Sequence, residues 1–503
     1  MRRWVNVEVG AALNLVGALL KYLSLAFLFP IALAIGYSEP VWPFVASGAV
    51  AGLGGWGLEL ATRGKQQVGI REGFLVVALT WLLGAAVVGL PYLLSGEDQY
   101  ARPVDDLFEA MSGMTTTGSS VLTDIPGIPR SLLMWRQFSQ WLGGMGIIVL
   151  ALAVLPRLRV GGRQLMESEA PGPELETLTA SIRDTARRLW FLYVGLTALM
   201  ILILATFGWT GIDERMHLYD AVGNTFAAMP TGGFGVDPRS IEPYAPASQW
   251  VIAVFMAIAG ANFALLYKAF VRRKPVALAR DEEFRLYVGL MLLASVVLTV
   301  ILWDAGISDG EEAIRQAAFQ TVSIMTTTGF ANTDFNEWLL LAPAAAMLIV
   351  ALMFPGGSAG STAGSIKVVR HLVIGRVLRR ELDQAMHPEY VAPIRLNRVA
   401  IDERTVRAVI AFVLIYVGIF VAGALLLLLD AHRVDLELSP FDALAASATT
   451  LGNVGPAFGF AGPMGSFEPF SDVSIGIMTG LMWLGRLEIV PVVALLTRAY
   501  WRA

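Results

Sequence analysis

Apolar residues along this chain fall into long runs that are separated by shorter polar segments. A helix needs about 20 consecutive apolar residues to cross a bilayer. Ten runs of about this length lie at 10–36, 41–61, 74–95, 132–155, 186–208, 248–270, 284–303, 339–366, 405–429 and 474–497. The sequence lacks the short alternating segments that are typical of a membrane β-barrel. We therefore expect an all-α polytopic membrane protein with about ten transmembrane helices.

Shorter stretches between these runs have a second, shared pattern. Each has about ten helix-compatible residues followed by threonine and glycine. They read "VDDLFEAMSGMTTTG", "LYDAVGNTFAAMPTGG", "AIRQAAFQTVSIMTTTG" and "PFDALAASATTLGNVG". Irregular backbone is tolerated at membrane depth only inside the protein or along a water-filled cavity. The pattern predicts four re-entrant half-helices, each followed by a loop.

The four stretches recur at roughly equal intervals, as Gly118, Gly232, Gly329 and Gly452 indicate. Repeats in membrane proteins usually surround a shared site. We expect four units, each of span, half-helix, loop and span, around one central pore after a two-helix extension. The predicted boundaries are 1–72 for the extension, then 73–165, 166–275, 276–390 and 391–503 for the four pore repeats.

Charge distribution gives an orientation. Lysine and arginine collect in alternate loops, at 61–71, 156–164, 181–188, 271–275, 370–380 and 395–407 and at the C-terminus. Because cytoplasmic loops carry the excess of positive charge, we expect both termini in the cytoplasm and all four half-helices on the outer side. The first apolar run is too long for a cleaved signal peptide.

Composition excludes several other classes of function. There are no cysteines, so disulfides and thiolate metal sites are excluded, and the four histidines are scattered. The net charge of −4 argues against nucleic-acid binding. No nucleophile–base pair or facing carboxylates can be read from the sequence, which argues against an intramembrane enzyme.

Threonine and glycine in the four loops suit a cation site. Glycine accepts positive φ and has no Cβ, and rings of backbone carbonyls can replace the hydration shell of an ion. The negative end of each half-helix dipole would point at the same place. The loops contain no carboxylate, which favours a weakly held monovalent ion. The alternative is that these small residues serve only helix packing.

Several motifs together resemble the TrkH type of the Trk/Ktr/HKT superfamily of potassium transporters. They are "MTTTGSSVL", "QWLGGMGIIVLALAVLP", "ESEAPGP" (167–173), "MPTGGFG", "FQTVSIMTTTGFANTDF", "PGGSAGSTAGSIKVVR", "TLGNVGP" and "MWLGRLEIVP". The resemblance covers essentially the whole chain. It implies two N-terminal helices and four helix–loop–helix units around one pore, in the cytoplasmic membrane of a prokaryote.

The resemblance also implies which residues bind K⁺ through backbone carbonyls. They are Thr116, Thr117, Gly118, Thr231, Gly232, Gly233, Thr327, Thr328, Gly329, Leu451, Gly452 and Asn453. In related plant proteins a serine in place of Gly118 accompanies sodium preference, so the glycine favours potassium. The chain departs from the family pattern at Ser119, Ser120 and Pro230. Transport of sodium or another small monovalent cation is the alternative.

Two features are expected to form a gate below these loops. The first interrupts the eighth run, at Gly356, Gly357, Ser358, Ala359, Gly360, Ser361, Thr362, Ala363, Gly364 and Ser365. The second is Arg486 in the last run, where a charge at membrane depth is costly unless it faces a cavity or a partner. The resemblance implies an obstructing loop and a pore-facing arginine. The alternatives are a helix-packing kink and a buried ion pair, and Asn14 and Asn262 are interpreted as helix-packing groups.

Partners follow from the resemblance as well. Members of this family are homodimers that work with a cytosolic TrkA-type regulatory subunit, which binds NAD or ATP. No soluble nucleotide-binding domain can be read from this chain, so we expect no organic cofactor in it. The expected ligands are K⁺ as substrate and membrane lipid around the spans.

Overall fold

The computed structural model describes residues 7–64, 69–153, 182–389 and 392–501. Within them the chain is mostly helical. The helices are α1 (Val9–Leu23), α2 (Leu28–Tyr37), α3 (Trp42–Ala61), α4 (Ile70–Ser95), α5 (Pro103–Met114), α6 (Arg130–Ala153), α7 (Ile182–Thr210), α8 (Leu218–Ala228), α9 (Pro246–Ala259), α10 (Phe263–Leu266), α11 (Val276–Arg280), α12 (Glu282–Asp304), α13 (Gly310–Met325), α14 (Trp338–Leu341), α15 (Pro343–Leu352), α16 (Val368–Met386), α17 (Glu403–Arg433), α18 (Pro440–Gly452), α19 (Asp472–Arg486), α20 (Val490–Leu496) and α21 (Arg498–Trp501).

Six of the described helical stretches are long and apolar enough to cross a membrane. They are Val9–Tyr37, Trp42–Ala61, Arg71–Ser95, Thr185–Thr210, Glu282–Asp304 and Glu403–Arg433. Two bent pairs pass the same test together, with angles of 104° between Pro246–Ala259 and Phe263–Val271 and 118° between Asp472–Arg486 and Val490–Leu496. The prediction of an all-α membrane protein is confirmed, whereas the count of ten spans stays a prediction.

Three of the predicted spans are not continuous helices. The run at 248–270 breaks between α9 and α10, and the run at 474–497 breaks after Arg486. The run at 339–366 contains only α14 and α15, after which residues 353–367 are non-helical. Hydropathy alone misses the first and third of these breaks because glycine, serine, threonine and asparagine interrupt a helix without making the segment strongly polar. The break after Arg486 instead has positive φ at Glu488 and Ile489, which a hydropathy pattern does not report.

The first two spans pack closely through glycine. A Cβ on Gly17 would lie 2.7 Å from the carbonyl oxygen of Gly55, so a larger residue would push the helices apart. Lys21 forms an ion pair with Glu59 across the same contact. The prediction of Asn14 as a helix-packing group agrees with the bond from its Nδ2 to the Glu59 carbonyl, at 3.1 Å.

Four short helices lie inside the bundle, each ahead of a loop: α5, α8, α13 and α18. Proline at the first position starts α5 and α18, where the missing N–H is harmless. All four have carboxylates in the first turn, which the helix dipole favours. Most of their side chains are buried, so these helices are surrounded by protein.

A small hairpin, β1 (Arg395–Leu396) and β2 (Val399–Ala400), lies between α16 and α17. Its turn residue Asn397 donates from its backbone N–H to Glu282, at 2.9 Å, and from Nδ2 to Asp281, also at 2.9 Å. The hairpin is thereby fixed to the start of α12.

Candidate functional site

The loops that follow the four short helices share one backbone conformation. We call residues 115–118, 230–233, 326–329 and 453–455 the first to fourth ring loops. Each has a non-glycine residue with positive φ, and the residue two positions later is a glycine that also has positive φ. The non-glycine residues are Thr116 (53°), Thr231 (57°), Thr327 (57°) and Asn453 (55°), and the ring glycines are Gly118 (88°), Gly233 (79°), Gly329 (82°) and Gly455 (118°).

Positive φ at a β-branched residue is a strained outlier. Such strain persists only where the surrounding structure fixes it, and it clusters at functional sites. Three threonines in this strained state, with Asn453 at the matched place of the fourth loop, therefore mark the ring loops as a site.

The ring loops are packed into a closed circle. A Cβ added to any ring glycine would meet the carbonyl oxygen that immediately precedes the ring glycine of the next loop, so the backbones are almost in contact. The pairs of glycine and carbonyl are Gly118 with Gly232, Gly233 with Thr328, Gly329 with Val454, and Gly455 with Thr117.

The circle brings four backbone carbonyls and four helix ends together. Helices α5, α13 and α18 end at the residue directly before a ring loop. Helix α8 ends at Ala228, and Met229 separates it from the second ring loop. Helix C-termini carry partial negative charge. The circle therefore brings backbone carbonyl oxygens close to the negative ends of four helices, which is a favourable potential for a cation.

The circle corrects the register predicted for two of the loops. Leu451 and Gly452 belong to the last turn of α18, and the fourth ring glycine is Gly455 rather than Gly452. In the second loop the ring glycine is Gly233, and Gly232 supplies the preceding carbonyl. Matching glycines by sequence alone failed because both segments contain several glycines, and only φ separates them.

Side chains hold the ring loops from behind. Gln140 on α6 donates from Nε2 to the Gly232 carbonyl, at 2.7 Å, and its Oε1 accepts from Phe234 N–H, at 3.1 Å. Asn453 donates from Nδ2 to Thr117 Oγ1, at 3.0 Å, which ties the fourth loop to the first. The sequence reasoning missed Gln140, although it lies in the quoted motif "QWLGG".

Beside the ring lies the Gly-rich segment, residues 353–367. Its Ser358 N–H donates to the Gly260 carbonyl, at 2.8 Å, and its Gly360 carbonyl accepts from Phe263 N–H, at 3.2 Å. The segment thus fills the break between α9 and α10. These contacts hold the segment in a defined non-helical conformation between α9 and α10.

The Gly-rich segment touches the ring loops directly. Gly364 N–H donates to Thr327 Oγ1, at 2.7 Å. Thr362 Oγ1 lies 3.3 Å from Thr231 Oγ1, with the bond donated by Thr231. A Cβ on Gly364 would collide with the Gly452 carbonyl. The segment is therefore in contact with the second and third ring loops and with the end of α18.

Arg486 joins the same cluster from the last residue of α19. Its side chain is 3% exposed, and Nη1 donates to the Thr362 carbonyl, at 2.8 Å. Its Nε and Nη2 are buried without a hydrogen-bond partner in the described part of the chain. Glu488, the nearest carboxylate in sequence, pairs with Arg370 instead.

Two residues that hold the Gly-rich segment were not predicted for that role. Glu283 Oε1 accepts from Ala359 N–H, at 2.7 Å, and from Val369 N–H, at 3.2 Å. Asn262 donates from Nδ2 to the Ala359 carbonyl, at 2.7 Å, and caps α10 through Leu265 N–H. Asn262, interpreted from the sequence as a helix-packing group, has the more specific role of fixing the Gly-rich segment. Its position two residues after the glycine of "AGANF" was the available signal.

One quoted motif is not covered by these descriptions. The stretch "ESEAPGP" at 167–173, like the basic loop at 156–164, lies outside the described residues.

Comparison with known proteins gives consistent results across the chain. The family model TrkH, described as cation transport protein, matches residues 44–501. The Trk system potassium uptake protein TrkH of Salmonella typhimurium is 37% identical over 443 residues, which is 88% of each chain. The protein of the same name from Vibrio parahaemolyticus is 36% identical over 99% of this chain and 100% of its own.

A solved structure agrees as well. The crystal structure of the potassium transporter TrkH from Vibrio parahaemolyticus superposes with a TM-score of 0.87 at 32% identity, covering 99% of this chain and 100% of that one. The family resemblance that the motifs indicated is thereby confirmed, and the chain belongs to the TrkH family of cation transport proteins.

Proposed function

We propose that this protein takes up potassium across the cytoplasmic membrane of a prokaryote, with the ring as its selectivity filter. The closed circle of four ring loops is the observation that carries this proposal, because it brings four strained backbones to one point. The names of the relatives, which are potassium uptake proteins, support the choice of ion.

In this proposal the ion is held by backbone carbonyls. The carbonyls of Thr117, Gly232, Thr328 and Val454 form one layer, and those of the neighbouring ring-loop residues form the others. Thr116, Thr231, Thr327 and Asn453 contribute through the backbone, whereas Leu451 and Gly452 contribute at most the end of a helix. Carbonyls that replace the hydration shell suit a weakly hydrated monovalent ion.

Sodium transport is the second candidate, because a ring of carbonyls alone does not determine which monovalent cation is bound. Gly118 separates the two candidates, since a side chain there would meet the Gly232 carbonyl and narrow the ring. The glycine favours the larger potassium ion.

The Gly-rich segment and Arg486 form the gate in this proposal. The segment touches the second and third ring loops and the end of α18, so it lies where it can obstruct the pathway. Two nitrogens of the buried Arg486 guanidinium, Nε and Nη2, have no hydrogen-bond partner among the described residues. The positive charge of Arg486 would repel a passing cation. Thr362 of the segment accepts one hydrogen bond from Arg486, through its carbonyl, and one from Thr231 of the second ring loop, through its hydroxyl. We therefore expect the segment and Arg486 to move together when the gate opens.

Regulation comes from other chains in this proposal. The relatives are named as parts of a Trk system, which implies several components. We propose a homodimer that binds a cytosolic TrkA-type subunit, which senses NAD or ATP, with both termini of this chain in the cytoplasm. The basic residues Arg379 and Arg380 of α16, together with the hairpin, offer a surface for that subunit.

Uptake of radioactive rubidium into cells that lack their own potassium import tests the proposal, with the regulatory subunit co-expressed. The natural chain should support uptake that potassium inhibits more strongly than sodium. Arg486→Ala should raise uptake about tenfold or more, because a unit charge 4 Å from an ion changes its energy by about 4 kcal/mol at an effective dielectric constant of 20. Arg486→Lys keeps the charge and is the matched control.

No rubidium uptake by a correctly inserted natural chain would contradict the transport proposal. Equal uptake by the Arg486→Ala and Arg486→Lys variants would leave transport standing and contradict the electrostatic gate.

A further inference from the structure

A fully buried ion pair lies behind the first ring loop. Arg136 on α6 donates from Nε to Glu109 Oε1 on α5, at 2.7 Å, and its Nη2 lies 2.6 Å from the same oxygen. The side chains of Arg136 and Glu109 are 1% and 0% exposed. Replacing a buried ion pair by apolar residues is often neutral or stabilising. Stability alone is therefore a weak explanation for this pair.

The pair holds the chain that leaves the first ring loop. Glu109 Oε2 accepts from Val121 N–H, at 3.1 Å, and Glu109 Oε1 accepts from Ser120 Oγ, at 3.0 Å. Arg136 Nη2 also donates to Ser120 Oγ, at 3.1 Å. Residues 120 and 121 begin just two positions after Gly118, so these bonds fix one end of the loop.

The same pair reaches the second ring loop. The guanidinium of Arg136 lies over the ring of Phe234, 4.2 Å from its centroid. Phe234 directly follows Gly233, and its N–H bonds to Gln140. A single ion pair therefore contacts the residues that follow two adjacent ring glycines.

The other repeats use neutral groups at the corresponding place. Glu109 lies nine positions before the ring glycine Gly118. The residues nine positions before the other three ring glycines are Asn224, Gln320 and Ala446. In the third repeat Gln320 donates from Nε2 to Asn332 Oδ1, at 3.1 Å, and Asn332 corresponds in position to Val121. The charged pair is thus particular to the first repeat. In the third repeat a hydrogen bond between two side-chain amides connects the corresponding positions.

We propose that Glu109 and Arg136 are a positioning pair that sets the discrimination between K⁺ and Na⁺. The inference rests on the proposed function, since it assumes that the ring is the filter. Both side chains contact residues that follow the ring glycines. The pair fixes the spacing of the first and second ring loops, and any selectivity based on cavity size or on carbonyl field strength depends on that spacing.

The test replaces both charges at once with Glu109→Gln and Arg136→Gln. Glu109→Gln keeps the length of its side chain, and Arg136→Gln ends about where Nε of Arg136 lies. The two amides can therefore form a hydrogen bond like the one between the side chains of Gln320 and Asn332 in the third repeat. Single variants are less informative because each leaves an unpaired buried charge, which destabilises the protein strongly. The matched control is the exposed pair Arg239 and Glu242, changed in the same way.

Two measurements are made on each protein, normalised to the folded amount in the membrane. The first is inhibition of rubidium uptake by potassium and by sodium, and the second is the midpoint of thermal unfolding of the purified protein in potassium and in sodium chloride. We expect the potassium preference of the double variant to fall about fivefold or more. Its unfolding midpoints in the two salts should converge, and the control should match the natural chain.

A double variant that is less stable but keeps the natural preference in both measurements would overturn the inference, because the pair would then be structural only. In that case the natural chain still transports, so the proposed function is untouched. A natural chain that shows no preference in either measurement would overturn both.

Discussion

The sequence MTTTG forms both the first and the third ring loop, and the two copies can be compared atom by atom. Thr116 and Thr327 have φ values of 53° and 57°. In each copy the hydroxyls of the outer threonines are 2.7 Å apart, as in Thr115 with Thr117. Identical residues therefore produce the same strained backbone, although long stretches of chain separate them.

Their neighbours differ. Thr327 Oγ1 accepts from Gly364 N–H of the Gly-rich segment, at 2.7 Å. Thr116 Oγ1 is buried and has no hydrogen-bond partner among the residues that the structure describes. The comparison teaches that local sequence sets the conformation of a loop, while its position in the bundle decides whether it contacts the Gly-rich segment.

The largest effect is expected where the two copies are equivalent, at their ring glycines. Gly118→Ala and Gly329→Ala each place a Cβ against the carbonyl of the next ring loop, at Gly232 and Val454 respectively. We expect each variant to lose rubidium uptake by about 100-fold, because backbone strain of about 1–3 kcal/mol adds to the collision. Uptake is measured per amount of inserted protein.

A matched control separates strain from collision. Gly306 also has positive φ, 67°, but an added Cβ would have nothing within 4 Å. Gly306→Ala should therefore lower thermal stability modestly and leave uptake unchanged. The equivalence of the two copies is broken if one ring glycine tolerates alanine and the other does not.

The next effect should appear where the copies differ. Thr327→Val removes the acceptor for Gly364 N–H and keeps the β-branched shape, whereas Thr116→Val removes a hydroxyl without a described partner. A hydrogen bond is worth about 0.5–1.5 kcal/mol, so Thr327→Val should raise uptake without the regulatory subunit about fivefold. Thr116→Val should change it little. Similar uptake by both variants would show that this contact does not stabilise the closed gate.

A smaller effect is expected at the far side of the Gly-rich segment. Glu283→Ala removes the acceptor for Ala359 and Val369, and Glu283→Gln keeps an oxygen there. We expect Glu283→Ala to raise uptake without the regulatory subunit about threefold, because a hydrogen bond at the weak end of the usual range contributes about 0.5 kcal/mol. Glu283→Gln should raise this uptake less. Glu242→Ala, at an exposed ion pair, is the control.

Combining these variants sharpens the comparison. Residues that act through one element have non-additive effects. Glu283→Ala and Thr327→Val should therefore combine to less than the product of their separate effects on uptake. Glu283→Ala and Thr116→Val should combine additively, and non-additivity in this second pair would argue that the segment also acts on the first loop.

Sequence reasoning predicted the helical membrane fold and the ring better than the parts around them. Long apolar runs report spans directly, and the exact repeat MTTTG marked two ring loops. The fourth loop was predicted too early in the sequence. Leu451 and Gly452 resemble the other loops in sequence, but they complete the last turn of a helix. Only the backbone angle identifies Asn453 and Gly455 as the equivalents.

The contacts that hold the site were beyond the sequence patterns. Glu109 and Arg136 lie 27 positions apart, and Glu283 and Ala359 lie 76 apart. A charged residue in a single sequence does not show which distant group it meets. Arg486 was noticed because a charge within an apolar run is conspicuous, while Glu283 was missed because it follows other acidic residues at a helix start.

The smallest expected effect lies inside the two copies themselves. Gly118 N–H bonds to the side-chain oxygen of Ser112, at 3.0 Å, whereas Gly329 N–H bonds to the backbone carbonyl of Ser323, at 3.3 Å. Ser112→Ala removes the acceptor of a ring glycine, but Ser323→Ala leaves it in place and removes only the bond from Ser323 Oγ to Phe330. We expect Ser112→Ala to weaken the apparent affinity for rubidium about twofold, since a lost hydrogen bond is worth about 0.5 kcal/mol at the least. Ser323→Ala should leave the affinity unchanged and lower only the unfolding midpoint. The reverse order of affinities would mean that the third ring loop, although identical in sequence, is the less firmly held of the two.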